Sequence, residues 1–183
     1  NFAWAFLQHG AGREQLLLKN QAAFDAVELS PRYMQDMSQV DFNATIFGQT
    51  YKMPFGISPV GMGSVVYPQA DVCNAKAAAQ SEIPFVLSGV SNASLEGIAQ
   101  EHNPKLWFQL YATKDWSISS DMIDRAQAAG VENLVVTVDV PSAARREAAL
   151  KAGLSFSPKI TWSYIKQAMT CPTWSFLSLW HGI

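Results

Sequence analysis

An α/β fold with a parallel sheet is what this sequence predicts, and three observations carry the prediction. Short apolar runs recur at residues 54–60, 84–89, 106–111 and 133–139. Helix-forming stretches over 71–80, 95–100 and 118–129 separate them. The runs are continuous rather than alternating, as expected of strands buried on both faces between βαβ crossovers. Four such units make half of a (β/α)8 barrel, a fold that needs about 250 residues. An open flavodoxin-like sheet is complete at 183 residues and fits the same number of units. Spacing alone favours the open sheet, so the choice falls to the residues.

The elements follow in order. Phe2, Trp4, Phe6 and Leu7 open the chain on a helical pattern, and residues 20–27 predict a short second helix. Residues 45–53 (TIFGQTYKM) read as two strand pieces around Gly48-Gln49, a hairpin signal. Residues 1–53 thus form a helical and hairpin cap. The strands and helices follow over 54–144, with an alanine-rich helix at 71–80 and a helix at 118–129 that stops at Gly130, a residue suited to a left-handed C-terminal turn.

Composition limits the function. A chain that is 49% hydrophobic and 15% charged buries a core. With 13 Lys and Arg against 15 Asp and Glu and no basic run, it lacks the electrostatic footprint of a nucleic-acid binder. Cys73 and Cys171 lie far apart, with no Cys or His partner at ligand spacing, so no metal site or disulfide framework is expected, and a reducing, cytoplasmic setting is. No apolar stretch reaches the roughly 18 to 20 residues that cross a bilayer, so the chain reads as soluble. It begins without Met in the middle of a helical pattern and stops just after an aromatic run, so both ends look cut.

In parallel α/β folds, ligands gather at the carboxyl ends of strands. Those ends carry Ser58, Val60, Gly61 and Gly63 on the first run, Ser88 and Gly89 on the second, Gln109 and Tyr111 on the third, and Thr137 and Asp139 on the fourth. Any one of these alone reads as a polar strand end meeting solvent or capping a helix. Four consecutive strands doing so together point to a site. No dinucleotide fingerprint and no P-loop occur. Glycines at 61 and 63 let a flat ring lie close to the backbone, while Ser88, Gln109 and Thr137 offer hydroxyl and amide groups to the polar edges of a flavin-like heterocycle.

The segments PFGISPVGM, FVLSGVSNASLEGIA, LWFQLYATKD, RAQAAGVENLVVTVDVP and RRE resemble, in order and without large gaps, the FMN-dependent 2-hydroxy acid dehydrogenases and oxidases. Near the end, CPTWSFLSLWHGI is most similar to the membrane-associated mandelate dehydrogenase branch. The resemblance implies an oxidoreductase on a (β/α)8 TIM barrel, of which this chain is the N-terminal half, with FMN as cofactor and a small mandelate- or lactate-like 2-hydroxy acid as substrate. It implies that the backbone at Val60 and Gly61 faces the flavin N5 and that Ser88, Gln109 and Thr137 hydrogen-bond the isoalloxazine. Tyr111 then contacts the substrate carboxylate or hydroxyl, Arg146 binds the carboxylate, and Asp139 orients the catalytic histidine. These roles suit the chemistry: a guanidinium pairs bidentately with a carboxylate, and a buried Asp favours an imidazolium.

Departures and absences follow from the same resemblance. Phe6 stands where the family has a substrate-touching tyrosine, and Ala144, Ala149 and Ala152 replace a glycine, an aspartate and an asparagine around the arginine. Arg145 is the other candidate for that arginine. His9, His102 and His181 are not where the family keeps its base. That base, the flavin-phosphate residues, the flavin-facing lysine and a second substrate arginine come from later strands. The expectation is a chain inactive alone, completed by a C-terminal half-barrel from the same polypeptide beyond a loop or from a second chain, and assembled as a homo-oligomer. Residues 145–183 are expected to hold an active-site loop and the start of a mobile insert. In that tail, Trp162, Tyr164, Met169, Trp174, Phe176, Leu177 and Trp180, with Lys159 and Lys166 interspersed, suit either a peripheral membrane contact or a helix packed on the barrel. A catalytically silent half-barrel serving as a structural or ligand-binding subunit is the rival expectation.

Overall fold

A computed structural model describes residues 2–102, 105–139, 146–152 and 162–181. Arg145, Ala144 and Lys159 lie outside the described residues, as do the side chains of Ala149 and Tyr164. The chain divides into two compact units, residues 1–41 with 142–172 and residues 42–141 with 173–183.

The larger unit begins with a hairpin, β1 (Ala44–Ile46) and β2 (Gln49–Tyr51), paired antiparallel. Its turn is Phe47-Gly48, one residue earlier than predicted, with φ 48° and 81°. Positive φ at both central residues is the turn that matches strand twist. The Phe47 ring packs on Trp107 with centroids 5.5 Å apart. Tyr51 is buried and accepts a hydrogen bond from Trp107 Nε1 at 2.9 Å.

The main sheet is parallel, with β3 (Phe85–Ser88), β4 (Leu106–Tyr111) and β5 (Asn133–Thr137) adjacent in chain order. Beside β3, the first predicted strand contracts to a single bridge, Ile57 to Phe85. Prolines at 54 and 59 remove ladder donors on either side of it. At Gly56 a Cβ would stand 2.5 Å from the Pro84 carbonyl oxygen, so the approach requires glycine.

Short α3 (Gly63–Val66) precedes α4 (Ala70–Gln80); α5 (Leu95–Gly97) widens into a π turn over Ile98–His102; α6 (Trp116–Ala128) links β4 to β5. Ser94 and Asp115 cap α5 and α6 by accepting from Gly97 N and Ser117 N at 3.2 and 3.0 Å. Gly130, at φ 80°, ends α6 as predicted. Ala75 and Ala78 of α4, Leu95, Ile98 and Ala99 of the α5 segment and Ala126 of α6 form one cluster with Phe85, Leu87, Phe108 and Leu110. All three helices therefore cover the same sheet face. On the outer surface Arg125 joins α6 to α5, reaching Glu96 with Nε at 2.8 Å and Nη2 at 3.2 Å and holding that carboxyl down to about 2.

Among the described strands, sheet order follows chain order with the helices on one face, and the reversal of order that marks a complete doubly wound open sheet does not occur. The sheet instead has the connectivity of a barrel segment. One strand departs from expectation: β5 reads as a buried run, yet Leu134 and Val136 on its helix-side face are 42% and 50% exposed.

The smaller unit contains α1 (Phe2–Gln8), α2 (Gln15–Asp25), α7 (Glu147–Lys151) and α8 (Trp162–Met169). The second helix starts five residues before the predicted 20–27. Helix α9 (Pro172–Trp180) returns the chain to the larger unit, with Ser178 buried and Phe176 stacked on Trp180 at 6.1 Å. Among the described residues, no helix is long and apolar enough to cross a membrane, and no group of three or more His, Cys, Asp or Glu could hold a metal ion.

Candidate active site at the strand tips

Register decides which side chains meet. Ser88 pairs with Gln109 and Tyr111 with Thr137, so Ser88, Gln109, Tyr111 and Thr137 share the sheet face opposite the helices. Trp107 lies on that face too, and its start is covered by the hairpin through Phe47 and Tyr51. The hairpin closes the amino end of this face and leaves the strand tips for a ligand.

Gln109 is 2% exposed and Ser88 4%, and burial of an amide demands partners. Gln109 Oε1 accepts from Ser88 Oγ at 3.2 Å and from the Gly89 backbone at 3.3 Å. Its Nε2 therefore faces Thr137 and donates to Oγ1 at 2.7 Å. Ser88 Oγ in turn accepts from Val90 N at 3.3 Å. Glycine is required at 89, where a Cβ would lie 2.7 Å from the Gln109 carbonyl oxygen. Three neighbouring strand tips are thus joined by one neutral polar chain. It retains two donors for a ligand, the Thr137 hydroxyl proton and the second Nε2 proton of Gln109. That donor set fits the uncharged carbonyl and nitrogen edge of an isoalloxazine.

Other predicted residues fall around these tips with differing fates. Gly61 sits beside the turn after β3: a Cβ there would come 2.6 Å from Val90 Cγ2, and the neighbouring Met62 N donates to Val90 O at 3.2 Å. Its missing side chain therefore serves close packing on that turn. Gly63 opens α3 and is buried, where a Cβ would meet Ala70 Cβ at 3.3 Å. Val60 and Ser58 are exposed. Tyr111 ends β4 at 38% exposure. Asp139 lies two residues past the end of β5 and is exposed in this chain, where a group supporting an imidazolium is expected to be buried.

In the smaller unit the structure brings together Phe6 and Arg146, with the guanidinium 5.2 Å over the ring centroid, a cation–π contact. Arg146 precedes α7 and Ala152 caps its end. His9 is held by Glu14 at 2.9 Å, and His102 lies 3.7 Å from Glu101. Sequence reasoning missed two residues: Asp71, buried in the first turn of α4, and Ser91, which donates to it. An acid in the first turn of an alanine-rich helix carries no signal of burial.

The family model described as FMN-dependent dehydrogenase matches residues 1–180. The L-lactate dehydrogenase of Ectopseudomonas mendocina is 37% identical over 175 residues, 96% of this chain and 46% of its own length. That of Vibrio cholerae is 34% identical, over 96% and 46%. Among solved structures, the monotopic membrane protein (S)-mandelate dehydrogenase superposes with TM-score 0.90 at 30% identity, covering 100% of this chain and 48% of the other. A mandelate oxidase variant with a C4a-OH-FMN adduct gives TM-score 0.80 at 29% identity, over 93% and 54%. The chain spans about half the length of the curated relatives it matches. On the match to residues 1–180 and a strand-tip chain suited to a flavin, this chain belongs to the FMN-dependent dehydrogenase family.

Proposed function

We propose that the complete protein oxidises a small 2-hydroxy acid, mandelate- or lactate-like, to the 2-oxo acid. The observation that carries this is the Ser88–Gln109–Thr137 chain, a neutral donor and acceptor array across three strand tips. Ser88, Gln109 and Thr137 hold the polar edge of FMN, and the backbone at Val60 and Gly61 lies along its ring. When bound, FMN supplies the acceptor for the two electrons leaving the substrate Cα. Arg146 pairs with the substrate carboxylate and Tyr111 hydrogen-bonds its carboxylate or hydroxyl. Phe6 lines the substrate side, offering an apolar surface where a hydroxyl would offer a hydrogen bond. Asp139 positions an imidazole supplied from outside this chain, and its exposure here agrees with a partner group that covers it.

The chain is inactive alone on this reading. A second half-barrel completes it, from the same polypeptide beyond a loop or from another chain, and the whole forms a homo-oligomer. The relatives' double length supports this. The exposed Phe176, Leu179 and Trp180 of α9 support a cytoplasmic protein held peripherally at a membrane, as does the likeness to a monotopic mandelate dehydrogenase. The rival, a silent half-barrel, draws on the altered loop around Arg146, with alanine at 144, 149 and 152. Absorbance of the complete purified protein tests both: a flavin spectrum that bleaches on adding mandelate or lactate supports oxidation, and a colourless or unresponsive protein supports the rival.

A further inference from the structure

Asp71 is 3% exposed, a carboxylate inside the larger unit that no step above uses. A buried carboxylate is expensive unless partnered, and here burial pushes the Asp71 carboxyl up while the Ser91 hydrogen bond offsets part of that rise. The partner is informative. Ser91 Oγ donates to Asp71 Oδ2 at 2.5 Å and accepts from Ala93 N at 2.9 Å. Ser91 N also donates to Ser88 O at 3.0 Å.

The turn from Gly89 to Ala93 is therefore pinned at both ends. Its inner end is Ser88, whose hydroxyl holds Val90 N and Gln109 Oε1. Its outer end is Ser91 on Asp71. Between them Val90 takes Met62 N through its carbonyl and fills the space beside Gly61. A displaced turn would move the Ser88 hydroxyl and the Val60-Gly61 backbone together, the two elements assigned to the flavin. We propose that Asp71, acting through Ser91, is a positioning residue that sets the turn after β3 and with it the flavin-binding strand tips. This rests on the FMN assignment above. What the position needs is a hydrogen-bond acceptor of carboxylate shape, which asparagine also provides.

FMN titrated into the apo form of the complete protein, followed by flavin fluorescence, tests it, with far-UV circular dichroism and the apoprotein melting temperature as folding controls. D71A and S91A are each expected to weaken FMN binding about tenfold, the size of one lost buried hydrogen bond. The double variant should be no weaker than the weaker single, and D71N should stay within about twofold of wild type. Wild-type affinity in S91A, multiplicative losses in the double variant, or D71N as weak as D71A would each overturn the proposal. If D71A does not fold, S91A and D71N decide by the same criteria. A wild-type protein that takes no FMN would instead overturn the cofactor assignment itself, which separates the two failures.

Discussion

Gln109 Nε2 lies 2.7 Å from Thr137 Oγ1, while its carbonyl oxygen takes Ser88 Oγ and Gly89 N. One amide thus spans three strands, and its orientation is fixed by two donors at its carbonyl oxygen and an accepting hydroxyl at its nitrogen. Replacing it with leucine keeps the volume and strands the Ser88 hydroxyl and the Gly89 amide. Q109L is expected to lose about 1–3 kcal/mol of stability, read by urea unfolding, and to abolish flavin uptake by the complete protein. Unchanged flavin content in Q109L would remove Gln109 from the site.

Gly89 faces the Gln109 carbonyl so closely that an added methyl would sit 2.7 Å from that oxygen. Backbone cannot yield as a side-chain end does, so G89A is expected to cost about 1–3 kcal/mol. At Gly12, with φ +55° and open space around it, alanine suffers backbone strain alone, expected at about 1 kcal/mol. Paired unfolding midpoints check the ranking; a G89A loss no larger than that of G12A would contradict the close approach.

Two carboxyls give opposite pH signatures. Glu96 falls from 4.5 to about 2 through Arg125, so its contribution is complete above pH 4.5 and is lost as pH falls toward 2. Asp71 is raised above 3.8 by burial. Its folded state holds the proton longer, so this term weakens the fold as pH rises from 3.8 through the raised value. Denaturant midpoints against pH should show E96Q losing the slope between 4.5 and 2. They should also show D71N at least as stable as wild type at pH 7, with the gap closing in acid. A D71N gap that widens in acid would reverse the sign assigned to burial.

Arg146 over Phe6 offers a planar fork, which lysine cannot reproduce. In the complete protein, R146K is expected to lower kcat/KM for a 2-hydroxy acid about tenfold to a hundredfold, mostly through KM. Steady-state kinetics at saturating acceptor measure it, and a wild-type KM would transfer the role to another cation.

Phe176, Leu179 and Trp180 present apolar surface on α9. F176S and W180S together are expected to remove most cosedimentation of the complete protein with anionic vesicles while leaving its melting temperature near wild type. Binding that survives both changes would place the membrane contact elsewhere.

The strands and helices were legible wherever local pattern and burial coincide. LWFQLY over Leu106–Tyr111 is the strand it resembles, the stop at Gly130 is where α6 ends, and the alanine-rich helix at Ala70–Gln80 is in place. That Ser88, Gln109 and Thr137 share one sheet face was also legible, because strand alternation fixes which residues point the same way at a tip. The Phe47-Gly48 turn, the collapse of the first strand to Ile57 and the exposed face of β5 were not. Phe47 meets Trp107, distant in sequence, and the exposure of Leu134 and Val136 depends on what covers β5, while the prolines at 54 and 59 interrupt the first strand on either side of its Ile57 bridge.

By itself the amino-acid order determined the family, the alternation of strand and helix, and the polar residues at the strand tips, since these are local patterns of hydrophobicity and motif. Tertiary structure alone decided that α4, the α5 segment and α6 lie on one face of the sheet, with no reversal of strand order among the described strands. It also decided that Gln109 binds both neighbouring strands, and that Asp71 is buried against Ser91. The physical reason is that periodicity says which residues share a face, whereas the partner, the desolvation and the close approach at Gly61 or Gly89 exist only once distant segments are pressed together.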